Sequence, residues 1–189
     1  MMWAIYSKEL RQFLNSLIAY VVIGVFLTGI GLLMWVFPET SVLNYGFADM
    51  GSLFSLGPFV FMFLIPAITM RMLAEERRTG TIELLLTKPL TEWQIVMGKY
   101  LAAFTLVVFS VLPTLVYFYS VYQLGNPIGN LDVPGITGSY LGLILLGGVF
   151  TAIGLAASSF TENQIVSFIL AVFLCFFLYT GVSSLADLL

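Results

Sequence analysis

The sequence predicts an all-α, polytopic membrane helix bundle, on the grounds of its composition and of the length of its apolar runs. Of the 189 residues, 60% are hydrophobic and 9% are charged, whereas an ordinary soluble domain has roughly 45–50% and about 25%. The mean hydropathy is +1.03. A soluble domain of this size could not hide so much apolar surface, because its exterior must face water. The chain is therefore expected to lie in lipid.

Five segments are long enough to cross a bilayer, for which a helix needs about 20 mostly apolar residues. The predicted membrane helices are residues 17–37, 53–78, 92–122, 139–158 and 164–185. Residues 1–16 are expected to form an amphipathic helix on the cytoplasmic membrane surface. Its predicted apolar face is made of aromatic and leucine side chains, namely Trp3, Tyr6, Leu10, Phe13, Leu14 and Leu17. Lys8 and Arg11 belong to the opposite face.

The distribution of the basic residues predicts the orientation. Two of them, Lys8 and Arg11, precede the first membrane helix. The other five lie between the second and third helices: Arg71, Arg77, Arg78, Lys88 and Lys99. The outer loops hold acidic residues and no Lys or Arg. The positive-inside rule therefore places the N-terminus and residues 71–99 in the cytoplasm, and the end of the chain outside.

Prolines and small residues predict how the helices bend and pack. Kinks are expected at Pro58, Pro66 and Pro113, which neighbouring helices make tolerable in a membrane. The fourth helix carries glycines and alanines that are expected to form one close-packing face. These residues are Gly147, Gly148, Ala152, Gly154 and Ala156.

The residue types argue against an enzyme. The chain contains no histidine, which is the commonest general base and transition-metal ligand. Its single cysteine, Cys175, lies in an apolar run and cannot build a metal cage or a disulfide framework. No phosphate-binding loop is present. We expect no catalytic residue, cofactor or metal in this chain, and the net charge of −3 offers no basis for binding nucleic acid.

Residues 79–91 form the predicted cytoplasmic loop between the second and third membrane helices. Gly80 is expected to end the preceding helix as a left-handed C-cap. Thr81 then begins a short apolar helix with Glu83 in its first turn, and Pro89 stops it. The loop thus places a small apolar helix between two breaks on the cytoplasmic side.

This short helix has two interpretations. Thr91 and Gln94 form a predicted capping box that begins the third membrane helix, so the leucines before it lie between fixed ends. They could rest on lipid headgroups as an interfacial helix. Alternatively, they could fit a groove on a soluble partner, with the charged residues around them forming the rim.

Positions 75–90 read Glu-Glu-Arg-Arg-Thr-Gly-Thr-Ile-Glu-Leu-Leu-Leu-Thr-Lys-Pro-Leu. This run resembles the signature of ABC-2-type transporter permeases, and the layout of the whole chain is similar to theirs. The resemblance implies a pair of permease chains, of the same or different kind, above two cytoplasmic ABC ATPase subunits. Within the family, the chain most resembles the gliding-motility-associated permease subunits (type F) of the bacterial inner membrane.

The resemblance also implies which residues couple the permease to the ATPase through a coupling helix. The matching positions are Glu75, Glu76, Arg77, Gly80, Thr81, Glu83, Leu84, Leu85, Leu86 and Pro89. By analogy, Gly80 and Pro89 set the geometry, the leucines supply the buried contact, and the charges tune orientation. ATP hydrolysis would then belong to the separate subunit.

Taken with this resemblance, the expected function is that of a membrane permease subunit in an ATP-driven export system. The alternative is a membrane scaffold or assembly protein that recruits a cytoplasmic partner without transport. Permeases of this family have a sixth membrane helix, and the chain ends at Leu189, soon after the fifth. We therefore expect the sequence to be C-terminally truncated. The apolar helices fit lipidic, peptide or polysaccharide cargo, and force transmission, equally well.

Overall fold

In the computed structural model, the described residues are 2–44, 48–81 and 91–186. Within these ranges the chain forms eight α-helices and no strand, which confirms the all-α prediction. The helices are α1 (Met2–Leu14), α2 (Leu17–Trp35), α3 (Gly51–Thr69), α4 (Ala74–Arg78), α5 (Glu92–Val111), α6 (Leu115–Leu124), α7 (Val133–Ser159) and α8 (Gln164–Ala186). Single 3₁₀ turns occupy Val42–Asn44 and Leu112–Thr114.

Four helical stretches of the described chain are long and apolar enough to cross a membrane. They are Gly51–Arg78, Glu92–Leu124, Val133–Ser159 and Gln164–Ala186. Met2–Leu14 and Ala19–Trp35 are bent by 68° relative to each other, and they form a fifth candidate if they are counted as one membrane span. The predicted polytopic helix bundle is therefore confirmed.

Helix α3 is the central element and packs against α2, α7 and α8. Its Phe61 and Ile65 are completely buried. The ring of Phe61 lies 5.5 Å from that of Phe26 in α2, measured between centroids. By contrast, α8 lies at the edge of the bundle. Of its most apolar 18 residues 17% are buried, whereas 56% are buried in the corresponding part of the stretch that contains α3.

Glycines in α7 allow close packing, as predicted. A Cβ at Gly147 would lie 2.8 Å from Val107 of α5, and one at Gly154 would lie 3.0 Å from the Cβ of Thr69 in α3. Ala152 and Ala156 do not share this face and are exposed. At about 100° per residue they fall on the far side of the helix from Gly147 and Gly154.

The largest differences from the predicted helix boundaries are at two places. Helix α7 begins at Val133 rather than near residue 139, because Asp132 caps it by accepting a hydrogen bond from the Gly135 amide at 3.2 Å. The second membrane helix reaches Arg78 but is interrupted at residues 70–73, between α3 and α4.

The prolines act unequally. A 3₁₀ turn that contains Pro113 separates α5 from α6, so the predicted distortion is present there. Helix α3 continues through Pro58 and Pro66 without interruption. Proline in a helix leaves a carbonyl without its usual donor but need not end the helix when neighbouring helices support it.

The packing of α7 on α3 predicts that replacement by alanine has contrasting effects on stability at two glycines of α7. Gly154→Ala should lower the thermal unfolding temperature of the purified chain, because the new methyl group must displace Thr69. Gly142→Ala is the matched control in the same helix, since a Cβ there meets no atom of the described residues within 4 Å. It should be neutral or stabilising, by up to about 1 kcal/mol. Equal effects at both positions would contradict this packing.

Candidate functional site

One end of the bundle, here called the charged end, is where α1, α4 and the first half of α5 meet. All described basic residues belong to it: Lys8, Arg11, Arg71, Arg77, Arg78 and Lys99. In the sequence, segment 82–90 lies between α4 and α5. The predicted coupling residues Glu83, Leu84, Leu85, Leu86 and Pro89 lie in that segment, outside the described residues.

Helix α1 packs on the protein as well as presenting a surface to its surroundings. Its buried residues are Ile5, Glu9 and Phe13, which follow one another at helical spacing. Gly98 of α5 lets α1 approach closely, since a Cβ there would lie 3.0 Å from Ile5. Of the predicted apolar face, Phe13 is buried, whereas Trp3, Leu14 and Leu17 are exposed, and its contact with the membrane surface stays a prediction.

Lys99 forms the centre of the charged end. Its side chain is 1% exposed, although the sequence places it among the cations of a cytoplasmic loop. Its Nζ lies 2.9 Å from Oε1 of Glu9 and 2.8 Å from Oε1 of Glu76, and donates a hydrogen bond of 2.8 Å to the Met72 carbonyl. An ammonium group has three donor hydrogens, so these three acceptors satisfy it completely.

Lys8 completes a neutral cluster of two cations and two carboxylates. Its Nζ lies 3.3 Å from Oε1 of both Glu9 and Glu76, while its side chain stays 53% exposed. Burial is the largest single influence on the pKa of Lys8 and lowers it, but the charges and hydrogen bonds of Glu9 and Glu76 together outweigh it and raise the pKa. Lys8 therefore stays charged at neutral pH. Among the described residues, the second oxygen of Glu76 is buried and has no hydrogen-bond partner.

The interruption between α3 and α4 supplies part of this site. The Met72 carbonyl accepts from Lys99. The amides of Leu73 and Ala74 each donate to Oγ of Ser158 at 3.0 Å, and that hydroxyl donates to the Met70 carbonyl at 3.2 Å. Backbone groups freed by the break are thus satisfied by α5 and α7, as a buried backbone requires.

The start of the predicted coupling loop has the expected local geometry. Gly80 has a φ of +69°, and its amide donates to the Arg77 carbonyl at 3.1 Å, which confirms the left-handed cap. Glu75 pairs with Arg71 at 3.3 Å, one turn away in the chain. Arg77 is exposed, and the hydroxyl of Thr81 lies 3.0 Å from that of Thr79.

The end of the loop is equally well defined. Thr91 and Gln94 form the predicted capping box, in which the Thr91 hydroxyl accepts from the Gln94 amide at 3.3 Å and the Gln94 side chain accepts from the Thr91 amide at 3.4 Å. A cavity of about 340 Å³ lies between α1 and α4, lined in part by Gln12, Glu75 and Glu76. In the described ranges, no group of acidic or Cys side chains is placed to hold a metal ion.

Sequence reasoning missed Glu9, Lys99 and Ser158 as parts of this site. For Glu9 and Lys99, the helical spacing from neighbouring apolar residues could have indicated burial. Glu9 stands four residues from both Ile5 and Phe13, and Lys99 stands at the same spacing from apolar residues of α5. A charge in the buried register of a helix needs a partner of opposite charge.

The fold and this site define a multi-pass membrane protein with a charged cluster at one end. A family model described as ABC-2 family transporter protein matches residues 3–188. The chain belongs to this family and is the membrane permease component of an ABC transporter. No curated protein matches its sequence.

The geometry of the cluster predicts that its two lysines contribute very differently to the stability of the chain. Lys99→Met should destabilise the purified chain by about 3–5 kcal/mol, because the buried Glu9 carboxylate and the largely buried Glu76 carboxylate lose their closest ammonium partner. Lys8→Met is the matched control, because it contacts the same carboxylates from a half-exposed position and should change stability by about 1 kcal/mol or less. Thermal unfolding in detergent measures both, and equal losses would refute the central role of Lys99.

Proposed function

We propose that this permease couples ATP hydrolysis on a separate ABC ATPase subunit to export across the membrane, through residues 79–91. Family membership supports an ATPase partner, and the chain itself contains no phosphate-binding loop. The observation that carries the proposal is the construction of the charged end, which holds both sides of segment 82–90.

Both sides of the segment are anchored to the same ion pair. Glu76 precedes the segment in α4, and Lys99 follows it in α5. Their charged atoms lie 2.8 Å apart, and Lys99 is completely buried. A contact made by the segment would therefore act on a braced base that includes the ends of two membrane stretches. In our proposal, a movement of the segment is therefore transmitted to the membrane helices through this ion pair.

The surface next to the segment is suited to a protein partner. Arg77, Arg78, Thr79 and Thr81 are exposed at the start of the loop, and Gly80 turns the chain away from α4. In our proposal these residues form the polar rim, and Leu84, Leu85 and Leu86 form the apolar contact. Glu83 and Pro89 keep the places that the family resemblance gives them.

We further propose that the charged end faces the cytoplasm of a bacterial cell, with the chain in the inner membrane and its N-terminus inside. The clustering of the basic residues supports this orientation. A second permease chain, identical or different, completes the membrane part. The gliding-motility subgroup stays a prediction that rests on the N-terminus and residues 71–100.

The competing function is a membrane scaffold that recruits a cytoplasmic partner without transport. A scaffold needs a docking surface, whereas it has no need for a braced connection between that surface and the membrane helices. Lys99 of α5 is buried and pairs with carboxylates of both α1 and α4, and this connection favours the coupled transporter.

Replacement of an apolar residue in the loop should remove the ATPase. Leu85→Asp is expected to abolish co-purification of an ABC ATPase with the detergent-solubilised chain, because a carboxylate would have to be buried in the ATPase groove. Leu85→Met is the matched control, since it keeps the apolar contact. Mass spectrometry of the affinity-purified material identifies the partner. Failure of the unaltered chain to bring down any ATPase would refute the proposal.

The left-handed glycine should matter for coupling more than for folding. Gly80→Val is expected to leave membrane insertion intact and to reduce ATP hydrolysis by the co-purified complex, since a β-branched residue strains a φ of +69°. Gly80→Asn is the control, because asparagine tolerates this conformation. Normal hydrolysis with valine would count against the loop geometry.

A further inference from the structure

The cavity between α1 and α4 at the charged end is large enough for a ligand. Its volume of about 340 Å³ falls in the range of about 300–1,000 Å³ in which proteins bind small molecules. Polar side chains at helical spacing form its two walls. Lys8 and Gln12 of α1 belong to one wall, and Arg71, Glu75 and Thr79 belong to the other. A ligand that enters this cavity is therefore expected to be polar.

The charged groups of the lining, taken with the Lys99 ammonium that binds two of them, carry both signs in equal number. They are three cations and three carboxylates, namely Lys8, Arg71 and Lys99, and Glu9, Glu75 and Glu76. Their formal charges therefore sum to zero. A ligand with a single charge gains little from such a neutral group, because attraction to one sign is offset by repulsion from the other. A ligand that carries a charge of each sign can meet both.

Arg71 and Lys8 provide the chemistry for an anionic phosphate. The ion pair of Arg71 with Glu75 engages Nε, which lies 3.3 Å from Oε2 of the carboxylate. A guanidinium has five donor hydrogens in a planar fork that matches phosphate oxygens, so donors remain for a ligand. Lys8 adds a point charge from the opposite wall, and its side chain is 53% exposed. Both cations can thus be reached from outside the protein.

Glu75 and Glu76 provide the chemistry for a cation with N–H groups. The Glu75 side chain is 35% exposed, and a carboxylate can accept several hydrogen bonds besides the one from Arg71. Oε1 of Glu76 binds Lys99 at 2.8 Å, whereas Oε2, among the described residues, has no hydrogen-bond partner. The terminal torsion of glutamate is broad, so this oxygen can turn toward a donor in the cavity. A primary ammonium brings three such donors.

The cavity lies at the level expected for lipid headgroups. The membrane stretch that begins at Gly51 reaches Met70 after about 20 residues, or about 30 Å along a helix, which is the thickness of the hydrocarbon core. Arg71, in the wall of the cavity, follows directly.

Apolar surface continues from the cavity along the membrane helix that leaves it. Ser16 lines the cavity, and α2 begins at the next residue. At the start of α2 the side chains of Leu17, Tyr20 and Val21 are exposed. A molecule with a polar head in the cavity can therefore place apolar chains along α2.

We propose that this cavity binds the headgroup of a zwitterionic phospholipid that ends in a primary ammonium, as in phosphatidylethanolamine. The phosphate lies against Arg71 and Lys8, and the ammonium lies against Glu75 and Glu76. The acyl chains follow the start of α2. The bound lipid fills the space between α1 and α4 and is held by both. The proposal does not depend on the proposed coupling to an ATPase.

The first experiment varies the lipid and leaves the protein unaltered. The delipidated full chain in detergent is titrated with dioleoyl phosphatidylethanolamine, its N-methyl and N,N-dimethyl forms, phosphatidylcholine and phosphatidylglycerol, and native mass spectrometry counts the bound lipids. We expect one tightly bound phosphatidylethanolamine. Affinity should fall with each added methyl group, because each removes an N–H donor, and should be about tenfold or more lower for phosphatidylcholine. Phosphatidylglycerol, which has no ammonium, should also bind more weakly.

The second experiment varies the protein. Arg71→Met should weaken phosphatidylethanolamine binding by about tenfold, because charge-assisted bonds to the phosphate are lost. Arg11→Met is the matched control, since Arg11 is an exposed cation of α1 outside the lining, and it should bind the lipid normally. Glu75→Gln should reduce the preference for phosphatidylethanolamine over phosphatidylcholine. Thermal unfolding without lipid checks the fold of each variant. If Arg71→Met does not fold, the methylation series on the unaltered chain decides.

A third comparison separates a lipid from a soluble ligand of the same chemistry. Glycerophosphoethanolamine, the headgroup without acyl chains, should bind at least about tenfold more weakly than the lipid, because the contacts along α2 are lost. Binding as tight as that of the lipid would overturn the lipid assignment and identify a soluble zwitterion as the ligand.

The other outcomes are equally decisive. Equal affinity for phosphatidylethanolamine and phosphatidylcholine would overturn the role of the ammonium, and equal affinity for phosphatidylglycerol would overturn the preference for a zwitterion. Equal binding by Arg71→Met and Arg11→Met, or no lipid bound to the unaltered chain, would overturn the site. No ATPase is present in these measurements, so their failure would leave the proposed function untouched.

Discussion

The burial of one ammonium group determines how the charged end of this bundle is built. Removing Lys99 from water is unfavourable unless opposite charges and hydrogen bonds surround it. Two carboxylates and one backbone carbonyl do so here, and they come from α1, α4 and the break before α4. The positions of these elements are consequently interdependent. An element that moved alone would leave charged or polar groups buried without partners, so the elements are stable only as one unit.

The interrupted helix between α3 and α4 shows the same principle in the backbone. A break inside a membrane protein exposes peptide groups that lipid cannot satisfy. In this chain the Ser158 hydroxyl accepts from the amides of Leu73 and Ala74 and donates to the Met70 carbonyl. Lys99 donates a hydrogen bond to the Met72 carbonyl. The break is therefore a junction where α5 and α7 are attached to the central helix.

Local features could be read from the sequence, and non-local ones could not. The left-handed Gly80, the capping box at Thr91 and the close-packing glycines of α7 depend on a few neighbouring residues or on helical spacing, and they agree with prediction. The pairing of Glu9 with Lys99 joins residues 90 positions apart. One sequence gives the register of each charge but not which helices meet. For the same reason Ser158 was expected only as the end of a helix.

That separation along the chain also imposes an order on biosynthesis. The N-terminal helix is made first, yet its charged partner emerges 90 residues later, after about 5–18 s at typical elongation rates of roughly 5–20 residues per second. Until then the carboxylate of Glu9 lacks this ammonium partner and must stay in contact with water. The first membrane helix is thus synthesised before α1 can form its ion pair with Lys99. Synthesis of the start of the third membrane stretch supplies Lys99 and so allows the beginning of the protein to be fixed in place.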